Sequence, residues 1–436
     1  MGDCKEAAIE AFRNSAGSEG GSDSDGANDR ENASRVACIL VNYRSPWEML
    51  ERCLRSLGGD DGDKAAGDGG RVILVDNGSD DGITGRVRAE FPEVTVIELG
   101  RNAGFAAAVN RGLEKVTEPY VLMLNTDAVL TPGALEAMTS ALDAAGDDCA
   151  GVAPKMMSSA HEGIIDAVGT VMPRSGAGFN RGIGQCDLGQ YDISDEVAGV
   201  CFGAALLRRR LFEGDAVGRL YEGYFLYFED SDWCMRAASQ GYRFLTVPDS
   251  VVLHLHSGVA RNESHDFKYR LIELNTLKLV VRTFESRMQV LEAVAARSAR
   301  LLARTFIRRR FIRANISTLA TFLRELPALL RERRQLRQRR TVSDSRVFEM
   351  AAGEDAFFDT VDYRPDRCLD SLVATYLRLL KQKHDPETGR RLALLCRLQL
   401  QESRGVRPEL APDDEVLFAG EPACVKHLLT LAAGKQ

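Results

Sequence analysis

From residue 36 to residue 145 the chain alternates between short apolar runs of strand length and longer stretches whose apolar residues recur at helical spacing. VACILVN (36–42), RVILVD (71–76), VTVIEL (94–99) and YVLML (120–124) predict four strands. PWEMLERCLRSL (46–57), residues 82–90, GFAAAVNRGLEKV (104–116) and PGALEAMTSALDAA (132–145) predict helices. Pro46 suits a first helical turn, where its missing N–H costs nothing. Strands that alternate with helices build a parallel sheet covered on both faces. Sheets of this kind bind ligands beyond the carboxyl ends of their strands, where the strand order reverses.

The rest of the chain hangs on that frame. Residues 1–34 are rich in Gly, Ser, Asp and Asn and poor in apolar residues, which predicts a disordered acidic leader. GGDDGDKAAGDGG (58–70) predicts a flexible loop. VAGVCFGAALL (197–207) predicts one buried strand. FLYFEDSDWCMRAASQGYRF (225–244) predicts an aromatic approach to an amphipathic helix, and LTVPDSVVLHLHSG (245–258) predicts strand, turn, strand and a histidine loop. From 266 to 346 the pattern is helical and arginine-rich, with Pro327 expected to kink or break it. Residues 347–436 predict a helical tail without legible chemistry.

Composition narrows the class. Apolar residues make up 44% and charged residues 27%, as in an ordinary globular protein with a real core. The ten cysteines show no CxxC spacing and no zinc pattern, so buried reduced thiols are the expectation, and with them a cytoplasmic compartment. There is no run of about 18 apolar residues, so no membrane-spanning helix is expected. The net charge of −7 argues against a nucleic-acid binder overall. The basic stretch 286–346 has apolar residues interleaved at helical spacing, which fits either an anionic membrane surface or a solvated helical hairpin. No stacking-aromatic platform accompanies its arginines, and nucleic acid is not expected as a partner.

The polar clusters fall at the strand ends. Asp76, Asn77, Gly78, Ser79, Asp80 and Asp81 follow the second strand. They suit a ligand, or merely a turn with a helix cap. Asn102 and Gly104 precede a helix whose backbone donors suit a diphosphate. Asn125-Thr126-Asp127 ends a buried strand, and hard oxygen ligands there suit Mg²⁺ or Mn²⁺ shared with substrate phosphates. Glu229, Asp230 and Asp232 crowd one helix start beside aromatic residues. Neighbouring carboxylates there have one pKa raised, as a general base needs, and the helix dipole also favours them. His254 and His256 alternate in LHLHS and point to opposite faces of a strand.

Taken in order, these segments resemble glycosyltransferase family 2, in its rhamnosyltransferase-like branch with the GT-A fold. The matching stretches are ILVNYRS (39–45), VILVDNGSDDG (72–82), LGRNAGFAAAVNRGL (99–113), VLMLNTDAVL (121–130), CFGAALLRRRLFE (201–213), GYFLYFEDSDWCMRAASQGYRF (223–244) and PDSVVLHLHS (248–257). KYRLIELNTLKLV (268–280) is similar to the family's trailing helix. The resemblance covers residues 36–285 and implies a GT-A catalytic domain over 35–285. A basic amphipathic helical region (286–346) and a helical tail (347–436) follow it.

The resemblance also implies roles. Asn42 and Asp76 contact the nucleoside, Asp76 near its base, within a nucleotide site that includes Asn77, Ser79, Gly104 and Asn125. Asn102 and Asn110 help hold the ribose or diphosphate. Asn125-Thr126-Asp127 stands where the family has its Asp-x-Asp metal motif, so Asp127 is the main ligand to Mg²⁺ or Mn²⁺ and His254 completes the metal or phosphate site. Asp230 is the catalytic base, and Glu229 and Asp232 orient it or contact the acceptor. The implied reaction is inverting transfer of a sugar from dTDP-rhamnose or a UDP-sugar. The acceptor is a hydroxyl of a glycan or a lipid-linked molecule, in surface polysaccharide synthesis. A cytoplasmic protein, peripheral on the inner face of the plasma membrane, would suit that acceptor. Two other readings stay open. One is an inactive scaffold that binds nucleotide sugars or glycans. The other is a sugar nucleotidyltransferase, which would carry a Gly-rich basic loop where this chain has NYRSPWE.

Overall fold

The computed structural model describes residues 35–58, 70–159, 165–183, 187, 191–214, 216–254, 265–307 and 311–351. The predicted leader and nearly all of the predicted tail lie outside these residues, as does His256.

Four strands form first along the chain: β1 (Val36–Asn42), β2 (Arg71–Asp76), β3 (Thr95–Glu98) and β4 (Tyr120–Asn125). They are parallel, in the spatial order β3-β2-β1-β4. The order therefore reverses between β1 and β4, whose last residues include Asn42 and Asn125. Helices connect them: α1 (Trp47–Leu57), α2 (Ile83–Glu90), α3 (Phe105–Leu113) and, after the short β5 (Ala128–Leu130), α4 (Ala134–Ala144).

Side chains alternate across a strand, so each strand feeds two cores. Cys38, Leu40, Leu74, Leu122 and Leu124 point to one face and pack with α1 (Leu50, Leu54) and α4 (Leu135, Met138, Leu142). Ile39, Ile73, Val75, Val121 and Met123 point to the other and pack with Val109 and Leu113 of α3. Both faces are apolar because both are covered.

The sheet continues past β4 with mixed direction. β6 (Cys149–Ser158), β7 (Ile165–Ala167), β10 (Glu196–Val197), β11 (Ala204–Arg208) and β12 (Arg243–His254) give the order β10-β12-β6-β11-β4. β11 is antiparallel to both neighbours, whereas β6 and β12 are parallel. β7 pairs with β6, and β5 with the end of β12. A separate two-stranded sheet joins β8 (Thr170–Val171) and β9 (Phe179–Asn180).

Two expectations change here. The run 197–207 is not one strand. Its first residue ends β10, and turns at 202–203 precede β11. The run is apolar because the turns are buried too, with Val200 and Phe202 in the core. Nor is 245–254 broken by a turn: β12 runs through it with a register shift between Val247 and Val251.

α5 (Glu229–Ser239) anchors one core face through Trp233, which stacks on Phe212 with ring centroids 4.6 Å apart and donates to the Gly218 carbonyl at 2.9 Å. Beyond the sheet lie α6 (His265–Thr283), α7 (Arg287–Ile307), α8 (Ile312–Arg339) and α9 (Ser345–Met350). α7 and α8 pack on α6 through Leu274, Leu277, Leu301, Phe322 and Leu329. Pro327 does not break α8. It stands on the exposed side, where water can satisfy the carbonyl its ring leaves without an N–H partner.

The candidate active site at the strand ends

At the end of β1, Asn42 is fully buried and donates from Nδ2 to Asp76 Oδ1 (2.8 Å) and to Ser79 Oγ (2.9 Å). Ser79 Oγ donates in turn to Asp76 Oδ1. The other carboxylate oxygen accepts the backbone N–H groups of Gly78 (3.2 Å) and Ser79 (3.1 Å). The turn after β2 is thus closed on its own aspartate. Gly78 has φ of +82°, and a Cβ there would meet the backbone of Arg101 at 2.5 Å, so the turn can approach the 101–102 loop only as glycine.

The 102–105 loop is closed in the same way. Asn77 Nδ2 donates to Asn102 Oδ1 (3.0 Å), which also accepts Gly104 N–H (3.0 Å). Asn77 Oδ1 accepts Ala103 N–H (2.8 Å), and Phe105 N–H goes to the Phe225 carbonyl (2.6 Å). The amides of 103, 104 and 105, at the start of α3, therefore have partners within the chain. Asn110 is also committed: Nδ2 donates to the Leu220 carbonyl (2.9 Å) and Glu222 (3.0 Å), and Oδ1 accepts Leu220 N–H (3.0 Å). It fastens the 219–222 segment to α3.

Past the switch point, the Asn125 backbone N–H donates to the Gly203 carbonyl (2.9 Å), and Thr126 shares a 2.7 Å hydrogen bond with Ser45. Asp127 then faces His254 at the end of β12, Oδ1 to Nε2 3.1 Å. His254 Nδ1 lies 2.7 Å from Asp166 Oδ2. Asp166 sits in β7 and is only 1% exposed. Burial alone would lower the histidine pKa, but the Asp166 and Asp127 carboxylates outweigh it and push it up to about 10. Two carboxylates around one buried imidazole create a place that favours positive charge.

That environment is the test of fit for a divalent cation. Asp127 offers a hard oxygen and His254 a nitrogen, and Asp166 behind the imidazole has the position of a carboxylate that orients a metal-binding histidine. Among the described residues no group of three or more His, Cys, Asp or Glu is arranged to hold a metal by itself. A cation held here would need further oxygens from phosphate or water, as Mg²⁺ and Mn²⁺ commonly do.

The first turn of α5 divides three acids. Glu229 is buried, and its Oε2 takes no hydrogen bond. Burial, then the neighbouring charge of Asp230, pushes Glu229 up to about 8. Asp230 is half-buried, and burial raises its pKa. Hydrogen bonds from the Ser231 backbone (2.6 Å) and hydroxyl (3.2 Å) pull it partly back. Neighbouring acids of which one is raised by the other's charge are how a site sorts proton roles. Asp232 differs: it is 0% exposed and accepts Arg236 Nε (2.8 Å), Arg282 Nε (2.9 Å) and the Tyr224 hydroxyl (3.1 Å). Burial would raise it, but Arg282 and Arg236 hold it below the usual carboxylate range. It lies between α5 and α6, away from Asp230.

The turn 201–203 links the two groups of acids. A Cβ on Gly203 would sit 3.4 Å from Asn125 Nδ2, and the Cys201 thiol is raised by burial and by the charges of Asp230, Asp166 and Glu229. On the other side stands an aromatic loop in which Phe225, Tyr227 and Phe228 all have left-handed φ, from +67° to +73°. That backbone is costly for such residues. Asn275 of α6 holds it, donating from Nδ2 to the carbonyls of Tyr224 (3.1 Å), Leu226 (2.8 Å) and Tyr227 (3.0 Å).

Sequence reasoning missed Asp166 and Asn275. A lone aspartate inside the apolar run IIDAVG was the one available signal for the first. The second stood in the trailing helix, where the resemblance to the family's Tyr/Arg/Asn pattern marked the asparagine but gave it no role.

A parallel α/β sheet with polar turns gathered at its switch point, extended by a mixed half that carries an acid–histidine pair and a buried carboxylate pair, is the GT-A class of nucleotide-sugar enzyme folds. Residues 37–214 match the model of the family described as glycosyl transferase family 2. Two N-acetylglucosaminyl-diphospho-decaprenol L-rhamnosyltransferases of Mycobacterium tuberculosis, from strains CDC 1551 / Oshkosh and ATCC 25618 / H37Rv, are 30% identical to it over 243 residues. The match spans 50% of this chain and 74% of theirs. The chain belongs to glycosyltransferase family 2. Solved structures that resemble it at low identity include GalNAc-T7 with UDP, GalNAc and Mn²⁺ (14% identity, TM-score 0.42, 56% of this chain and 48% of that one). The mannosyltransferase PcManGT from Pyrobaculum calidifontis with GDP-Man and Mn²⁺ is another (17%, 0.40, 70% and 85%). This chain thus spans less than half of GalNAc-T7.

Proposed function

We propose that the chain transfers a sugar from a nucleoside-diphosphate donor to a hydroxyl of a glycan or lipid-linked acceptor, with inversion. Rhamnose is the first candidate for the sugar. The observation that carries this reading is the division of acids in α5: a half-buried Asp230 beside a buried Glu229 without an ion-pair partner among the described residues, with Asp232 taken up by arginines. The mycobacterial relatives, as N-acetylglucosaminyl-diphospho-decaprenol L-rhamnosyltransferases, support both the rhamnosyl donor and a lipid-linked acceptor.

In this reading Asp76, Asn42 and Ser79 shape the pocket for the nucleoside. Asn102 and Asn77 shape the loop that faces the diphosphate, with Gly104 the point where the aromatic loop closes against it. Asn110 supports that wall from behind. Asp127 and His254 would hold Mg²⁺ or Mn²⁺, and Asp166 would keep His254 Nε2 turned toward it. A bound divalent cation supplies charge neutralisation for a departing diphosphate. Asp230 accepts the proton of the acceptor hydroxyl as its oxygen bonds to the anomeric carbon. The bond to the diphosphate breaks and the nucleoside diphosphate leaves with its electron pair. Asp232 is committed to Arg236 and Arg282, and Glu229 is buried with its pKa pushed up to about 8, so neither serves α5 as a second, nucleophilic carboxylate, which favours a single displacement.

The test is binding and slow hydrolysis across a panel of nucleotide sugars, with Mn²⁺ or Mg²⁺ and with EDTA. Turnover of one donor that EDTA abolishes is the expected result. Binding of nucleotide sugars with no product from any donor and acceptor would return the chain to the scaffold reading.

A further inference from the structure

Apolar side chains left in water should be scattered thinly over a protein surface. Here they are not. Eight large hydrophobic side chains are exposed among the described residues, and all but Ile193 lie on α7 and α8. On α7 they are Met288, Leu291, Leu302 and Phe306, the last 83% exposed. At 3.6 residues per turn these four fall within an arc of about 60°. On α8 they are Ile316, Leu323 and Leu330, seven residues apart and within an arc of about 40°. Each helix thus has a second apolar stripe besides the one packed on α6.

The charge around the stripes has one sign. Exposed arginines number two on α7 (Arg287, Arg300) and six on α8, against a single exposed acid, Glu292. Both acids of α8 turn inward, Glu325 to Lys278 (2.7 Å) and Glu332 to Arg282. Arg313, Arg324 and Arg331 line one flank of the α8 stripe, about 60–80° round the helix from it.

We propose that the outer faces of α7 and α8 dock on an anionic lipid bilayer, apolar stripes in the acyl boundary and arginines among the headgroups. This deepens the transferase reading and rests on it only for purpose: a lipid-linked acceptor is met at that interface. The surface itself is argued from exposure and charge. An amphipathic helix with a basic flank binds in this way through apolar burial plus attraction to anionic lipid. No helix among the described residues is long and apolar enough to cross a membrane, so the contact lies along the surface. Like charge opposes a second copy packed face to face, since arginine would meet arginine. Nucleic acid would be served by stacking aromatics, and Phe306 is the one exposed aromatic on these faces.

The test uses the full chain and vesicle flotation, with phosphatidylcholine alone and with phosphatidylcholine containing phosphatidylglycerol. Flotation with the anionic vesicles only, weakened by salt, is expected. The variants F306D/L323D and R324E/R331E, all at exposed positions, should each weaken it about tenfold or more. Donor binding by the same preparations should stay as in the wild type, and this readout reports on the transferase reading independently. Three results would overturn the proposal: no preference for anionic vesicles, retention of binding by both variants, or concentration-dependent dimers that the same variants dissolve. Tight salt-dependent binding to DNA without any to vesicles would transfer the face to a different partner and overturn it equally.

Discussion

The strand-end cleft and the α5–α6 interface both bury carboxylates, yet they treat them oppositely. At the interface Asp232 meets Arg236 and Arg282, and where α7 packs on α6 a second buried acid, Glu273, meets Arg297 (2.5 Å), Arg300 and Arg304. In the cleft, Glu229 and Asp230 form no ion pair with any Lys or Arg among the described residues. A paired buried charge keeps its ordinary ionisation, whereas an unpaired one shifts its pKa. The distinction separates acids that hold helices together from acids available to move protons, and it does so between residues two positions apart.

The sharpest way to break this comparison is to change one residue on each side. Asp230→Asn should lower kcat by about 10²–10⁴-fold, the usual worth of a positioned base, while leaving donor affinity as it was. Steady-state kinetics with calorimetric donor titration would check this, and a variant with near-normal kcat would remove Asp230 from the chemistry. Asp232→Ala should do the reverse. It takes a shared carboxylate from two buried guanidiniums and should cost about 3–5 kcal/mol of stability, read as a lower denaturation midpoint, before any effect on catalysis. A variant as stable as wild type and as inactive as Asp230→Asn would invert the assignment.

The third prediction is smaller and depends on pH. The native chain holds the Glu229 proton up to about pH 8, whereas an ordinary glutamate in the unfolded chain loses it near 4.5. Within that window the native state binds the extra proton, so this site costs stability increasingly as pH rises and at its full value above pH 8. Glu229→Gln removes that cost. Its melting temperature should exceed that of wild type by several degrees above pH 8, and the advantage should fade toward pH 5. Parallel melting curves at both ends would contradict the buried, unpaired glutamate.

How much of this was legible beforehand follows the same division. β1 to β4 and α1 to α4 were readable because each is a local pattern bounded by turn residues. The mixed half was not, because the buried turn before β11 is as apolar as a strand, and because the bulge of β12 keeps pairing where Pro248 suggested a break. Asp127 was legible as a metal candidate because it follows a buried strand, and His254 through the family resemblance. Asp166 was not, since its importance comes from a contact 88 residues away. Similarly, Asp232 read as a companion of Asp230. Only the position of Arg282 on another helix shows that it faces elsewhere.

The grip of Asn275 on the aromatic loop separates the loop's backbone from its side chains. It bonds to backbone carbonyls, and every residue type offers a carbonyl. The curve of the loop is therefore held through its backbone, whatever side chains it carries. Position 275 has no such latitude. Aspartate there has no N–H to donate, and leucine of similar volume has none either, so either change would release three carbonyls at once. The path of the loop thus hangs on one side chain of another helix.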